Sequence, residues 1–87
     1  MSAVARPTIP EAVIFGKTIR RLREKSGLSQ QKVAEAANLS LNFLSDVERG
    51  VKSVTLATIL KLAHALGCPP GELLTEFSPA TIRRLMR

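Results

Sequence analysis

Apolar residues recur along this chain at the three-and-four spacing of amphipathic helices, and the runs are broken by residues that start or stop helices. The first helix is expected from near Ile9 to about Ser26. Thr8 and Glu11 have the spacing of a capping box, Pro10 suits a first helical turn, and Gly27 supplies a stop. Within it Phe15, Ile19 and Leu22 share one side, while Lys17, Arg20, Arg21 and Glu24 take most of the rest. Ser29 can cap a short second helix from Gln30 to about Ala37, whose Val33, Ala34 and Ala37 repeat at helical spacing. Asn38 then enters the left-handed region that ends it.

Ser40 can cap a third helix reaching Arg49, stopped by Gly50. After a linker, Thr55 caps a fourth helix ending at Gly67. Its Leu56, Ile59, Leu60, Leu62, Ala63 and Leu66 make it the most apolar element and the expected central core helix. Pro69 and Pro70 forbid its continuation and fit the first turn of a fifth helix, from Pro70 to about Glu76. Ser78 and Pro79 repeat the start signal. Ile82, Leu85 and Met86 then allow a short sixth helix, with Arg83, Arg84 and Arg87 at the end that favours cations. The expected organisation is a flexible arm over residues 1–8, one domain over 9–77 and a C-terminal tail over 78–87.

The third helix is the most informative when wound at ~100° per residue. Leu41, Asn42, Ser45, Asp46 and Arg49 fall within roughly 140° on one side, and Phe43, Leu44 and Val47 occupy the opposite arc. One side buries and the other is free. The free side carries an amide, a hydroxyl, a carboxylate, a guanidinium and an aliphatic group, a mixture suited to the edges of bases in a DNA major groove. A solvated polar face is the competing reading, and the wheel alone leaves both open.

Composition narrows the choice. With 87 residues the chain has room for one core, and 45% of them are apolar although there is no Trp or Tyr and only three Phe. Such a core is built from Leu, Ile, Val and Ala and favours helices, so an all-α bundle is expected. The formal net charge of +6 points to a polyanionic partner. No signal peptide or spanning stretch is visible, so a cytoplasmic protein without membrane contact is expected. A single Cys, Cys68, and a single His, His64, leave no disulfide framework and no plausible zinc set. No phosphate loop, nucleophile motif or carboxylate pair supports an enzyme, and no cofactor, metal or small-molecule ligand is expected. His64 reads as surface, and Cys68 as a buried, inert thiol.

The residues Leu28-Ser29-Gln30, Val33-Ala34, Leu39-Ser40 and Phe43-Leu44-Ser45-Asp46-Val47-Glu48-Arg49-Gly50 resemble the phage repressor and Cro type helix-turn-helix family. The pattern continues through Leu56, Ile59, Lys61-Leu62-Ala63, Ala65-Leu66-Gly67 and Glu72-Leu73-Leu74, so the resemblance spans roughly Phe15 to Leu74. It implies a five-helix bundle whose second helix lies across the major groove and whose third enters it.

Carried over by position, the resemblance implies that Ser40, Leu41, Asn42, Ser45 and Asp46 serve base or flanking-phosphate contact. It gives Gln30 a phosphate, and assigns Lys52, Ser53 and the start of the fourth helix to a second phosphate clamp. Arg49 and Arg20 are further phosphate candidates, and Arg23 with Glu48 matches a pair that forms a salt bridge in some members. Asp46 stands on the side that faces phosphates, so either it meets a cytosine amino group or a basic neighbour, or it orients the helix. Asn38 replaces the family's usual Gly in the turn, which the left-handed tolerance of Asn permits.

The implied function is a sequence-specific DNA-binding regulator acting as a homodimer on a palindromic operator. Leu73, Leu74, Phe77, Ile82, Leu85 and Met86 are the expected dimer surface. A chain this short leaves no room for a ligand-sensing domain, so its activity is expected to follow its own concentration, as in a restriction-modification controller or a compact repressor. Alternatives are an antitoxin that binds DNA and a toxin, and an adaptor that uses the same fold to hold a protein. RNA polymerase is a further partner to consider.

Overall fold

The computed structural model describes residues 6–87, and every described element is helical. The order is α1 (Pro10–Lys25), α2 (Gln30–Ala37), α3 (Leu41–Glu48), α4 (Leu56–Leu66), a 3-10 helix (Pro70–Leu74) and α5 (Pro79–Leu85). The all-helical expectation holds. Part of the expected N-terminal arm, residues 1–5, lies outside the described residues.

Four of the helices begin as their polar starters require. Ser29, Ser40, Thr55 and Ser78 each accept a hydrogen bond from the backbone N–H three residues on, at Lys32, Phe43, Thr58 and Thr81. Each bond satisfies one of the donors that a helix start leaves orphaned. The capping box expected of Thr8 and Glu11 does not form. Ile9 is the N-cap of α1 and offers no side-chain bond, while Pro10 follows directly. Proline at the first helical position has no N–H to satisfy, so the start needs less capping than the sequence signal suggested. The backbone instead ties this end down, because the Ile9 N–H donates to the Gly50 carbonyl at 2.8 Å.

The core gathers Phe15 and Ile19 of α1, Val33, Ala34 and Ala37 of α2, Leu44 and Val47 of α3, Leu62 and Ala63 of α4, and Leu73 of the 3-10 helix. Small alanines let α2 lie close to α4 and α3 while the larger aliphatic groups fill the space between. α4 is not buried as its sequence suggested: Leu56 is 71% exposed and Leu60 50% exposed, and its inward face is Thr58, Leu62 and Ala63. An element apolar on nearly every side gives periodicity no means of choosing the buried one.

The segment expected as a fifth α-helix is a 3-10 helix that stops at Leu74, two residues short of the expected end. Pro69 and Pro70 remove two N–H donors, and the Glu72 N–H reaches only to the Pro69 carbonyl at 3.0 Å, the shorter 3-10 bond. Leu73 anchors this piece and is fully buried. It belongs to the core of its own chain and so drops out of the expected dimer surface. The short last helix does form, as α5, and none of its residues is buried.

Candidate nucleic-acid interface

α2 and α3 are joined by Asn38, Leu39 and Ser40, and the geometry of that turn fixes how α3 stands. Asn38 takes φ 54° and ψ 47°, the left-handed conformation expected of it. The Leu39 N–H then closes the end of α2 by donating to the Ala34 carbonyl at 2.8 Å. Leu39 packs against the core, and Ser40 starts the next helix at once.

α3 buries Leu44 and Val47 and rests Phe43 half-buried on the core. Leu41, Asn42 and Arg49 are exposed, and Ser45 and Asp46 are half-buried between them. Ser40 is exposed at the same end, its hydroxyl oxygen accepting from the Phe43 N–H at 3.0 Å while the O–H stays available. The structure therefore brings the five candidate base-contact residues to one outward surface. Lys52 and Ser53 are exposed just before α4, whose cap Thr55 presents a helix start beside them.

Behind this surface a polar cluster joins three helices. Glu48 accepts from Arg23 Nε at 2.6 Å and Nη2 at 3.0 Å, and from Gln30 Nε2 at 3.0 Å. Arg23 Nη1 donates to the Leu28 carbonyl at 2.9 Å. The Arg23 and Glu48 side chains are only 12% and 4% exposed, so the pair is shielded and bidentate, the arrangement in which arginine and carboxylate bind most firmly. The hydrogen bond to Glu48 holds the Arg23 pKa above its ordinary value, against the opposing effect of burial. The expected Arg23–Glu48 bridge is present. The Gln30 amide is committed to it, so this side chain is turned to Glu48 and not held free for the phosphate contact expected of it.

On the outer side Asp46 meets the basic neighbour the sequence argument called for, twice over. Arg49 Nη2 donates to Asp46 Oδ1 at 2.6 Å, and Arg6 donates to the same oxygen. Partial burial works against the carboxylate, but the hydrogen bonds from Arg6 and Arg49 outweigh it and hold the Asp46 pKa below its ordinary value. Arg6 was not among the candidates. It stands 40 positions from Asp46, and no local pattern relates the two.

Arg20 is exposed and pairs loosely with Glu24 at 3.3 Å, a contact that water or phosphate easily replaces. His64 is exposed and Cys68 half-buried. Glu11, Phe15, Lys52, Val54, Ile59, Leu74 and Phe77 are among the residues lining an open groove of about 210 Å³. Among the described residues no helix is long and apolar enough to cross a membrane.

Two short capped helices at a fixed turn, with one face of the second left free, define a helix-turn-helix. Residues 19–73 match the family described as Helix-turn-helix, and the chain belongs to that family. It is 41% identical over 63 residues to Control protein C.BamHI of Bacillus amyloliquefaciens, covering 71% of this chain and 78% of that one. It is 36% identical over 61 residues to the immunity repressor protein of Bacillus phage phi105, covering 70% of this chain and 42% of the repressor. Among solved structures, the restriction-modification controller protein C.AhdI of Aeromonas hydrophila superposes with a TM-score of 0.71 at 44% identity. That match covers 72% of this chain and 96% of C.AhdI.

Proposed function

We propose that this chain, a DNA-binding transcription regulator of the helix-turn-helix family, reads a palindromic operator as a homodimer and controls transcription according to its own concentration. The observation that carries the reading is the division of α3: Leu44 and Val47 hold it to the bundle, and Leu41, Asn42 and Arg49 stand free at its surface. In the major groove Asn42 would pair with an adenine, Leu41 would touch a thymine methyl, and Lys52 with the start of α4 would hold phosphate. The net charge of +6 favours the approach. The likeness to C.BamHI and C.AhdI supports a controller of a restriction-modification system, working in the cytoplasm.

Two copies related by a twofold axis would set their α3 helices about one turn of DNA, ~34 Å, apart. Leu74, Ile82 and Met86 are exposed, Phe77 and Leu85 half-buried, and together they form the apolar surface for that contact. Selection of bound duplexes from a random pool tests the proposal directly. An inverted repeat with half-sites one helical turn apart is expected. A pool that yields no enriched sequence overturns it, and a chain that sediments as a monomer on the selected duplex overturns the dimer.

A further inference from the structure

Asp46 is a carboxylate on the one surface of the molecule that the proposed function turns towards phosphate. Left alone there it would repel the ligand. It is not alone, because one of its oxygens accepts from both Arg6 and Arg49, and its side chain is only 15% exposed beneath them. The arginines themselves are 49% and 61% exposed, so each keeps N–H groups free towards solvent. Asp46 is one helical turn from Asn42, and Arg49 one turn beyond Ser45, which places the cluster on the same strip of α3 as the other candidate readers.

Two unattached arginines at this place would bind any duplex through its phosphates, each adding roughly 0.9 to the salt slope. Tying both to one carboxylate lowers that sequence-blind attraction. The bond from Nη2 also restrains the Arg49 guanidinium beside Asp46, leaving its remaining N–H groups to meet the O6 and N7 acceptors of a guanine, a contact that takes a two-pronged donor. Arg6 lies outside the family match at 19–73, so this half of the cluster belongs to the part of the chain that precedes the shared module. The result is a reading head with a net charge of one rather than two.

We propose that Asp46 is a specificity-determining residue of the DNA interface, gathering Arg6 and Arg49 into one cluster that reads a guanine and withholding both cations from generic phosphate. The inference rests on the proposed reading of α3 as the DNA-facing helix. It differs from a plain phosphate-clamp role for either arginine, because it predicts opposite effects on operator and random DNA.

The test uses the whole chain, the duplex selected from a random pool and a random duplex of equal length, across a salt series. Asp46→Asn is expected to raise affinity for the random duplex ~3- to 10-fold with a steeper salt dependence. Its ratio of selected to random affinity should fall ~10-fold or more. Arg6→Ala, which removes no helical residue, is expected to lower affinity for the selected duplex about fivefold and leave the random duplex within twofold. In the Asp46→Asn background Arg6→Ala should bring random binding back down. An Asp46→Asn ratio and salt slope unchanged at a wild-type melting temperature overturns the inference, as does an Arg6→Ala loss that is equal on both duplexes. If the wild-type chain prefers no duplex at all, the DNA-reading function itself fails and this inference with it. A preference that Asp46→Asn leaves undiminished sinks the inference alone.

Discussion

A side-chain carbon placed on Gly16 in α1 would stand 2.2 Å from the carbonyl oxygen of Val47 and 2.8 Å from that of Glu48. The two helices therefore meet backbone to backbone at the C-terminal end of α3, and glycine is required for the approach rather than for a turn. The obstacle is main chain, which no rotamer change can move aside. Gly16→Ala is expected to push α3 outward and to destabilise the fold by about 2 kcal/mol or more, the scale of an overpacked core. Operator binding should fall even where the variant remains folded. A thermal melt with a duplex titration checks this, and wild-type values in both would show that α3 is not seated on α1 in this way.

Glu48 is the second attachment of α3 to α1. Glu48→Ala removes the acceptor of three hydrogen bonds and leaves the Arg23 charge poorly solvated. Breaking one side of a shielded pair costs about 3 kcal/mol, which for a domain of this size lowers the melting temperature by about 12 to 24 °C. Arg23→Ala also removes three hydrogen bonds and leaves the more deeply buried Glu48 carboxylate with Gln30 alone, so a cost of similar size is expected. Differential scanning calorimetry measures both, and an unchanged midpoint for Glu48→Ala refutes the pairing.

Much of this arrangement was legible in the sequence. Ser29, Ser40, Thr55 and Ser78 mark their helix starts because capping is local chemistry, and Asn38 marks the turn because few side chains accept its backbone angles. The Arg23–Glu48 bridge was visible only through resemblance, since the partners are 25 positions apart. What stayed hidden depends on tertiary context. Leu56 and Leu60 read as core because α4 carries apolar residues on nearly every side, Leu73 read as dimer surface because it is grouped with the apolar residues of the last segments, and nothing near Arg6 announces Asp46.

Roles within the proposed interface separate by sequence dependence. Asn42→Ala removes an exposed amide that can satisfy an adenine edge, so preference at one base pair in each half-site should relax, at a cost of about 1 to 3 kcal/mol for the best duplex. Lys52→Ala removes a cation from the start of α4 and should weaken all duplexes alike, with the salt slope smaller by about 1. Quantitative binding to a panel of single-base operator variants reads both. The reverse pattern would exchange the two assignments.

The lowered Asp46 pKa gives the outer cluster a defined acid sensitivity. A carboxyl whose pKa is depressed on folding stabilises the structure above its unfolded value, and that contribution is lost as pH falls through the depressed value. The clustering of Arg6 and Arg49 should thus be intact above the ordinary carboxyl value of 3.8 and fail only below it. Carbon-detected NMR titration of Asp46 is expected to give a midpoint under that value, moving upward in Arg6→Ala and in Arg49→Ala. A midpoint insensitive to both substitutions would mean that neither arginine holds the carboxylate.

Cys68 titrates in the opposite sense. Partial burial, assisted by the nearby negative charge of Glu72, raises its pKa above the ordinary thiol value of 9.0. At neutral pH the group is then a thiol and a weak nucleophile, because only the thiolate attacks. Iodoacetamide should modify the folded chain several-fold more slowly than the chain unfolded in guanidinium, and Glu72→Gln should speed the folded reaction slightly. A raised pKa contributes stability that is complete below the unfolded value and is lost as pH climbs through the folded one. Stability should accordingly decline in the alkaline range in part through this thiol, and Cys68→Ala should remove that part. Equal alkylation rates for the folded and unfolded chain would show instead that Cys68 is freely reactive at the end of α4.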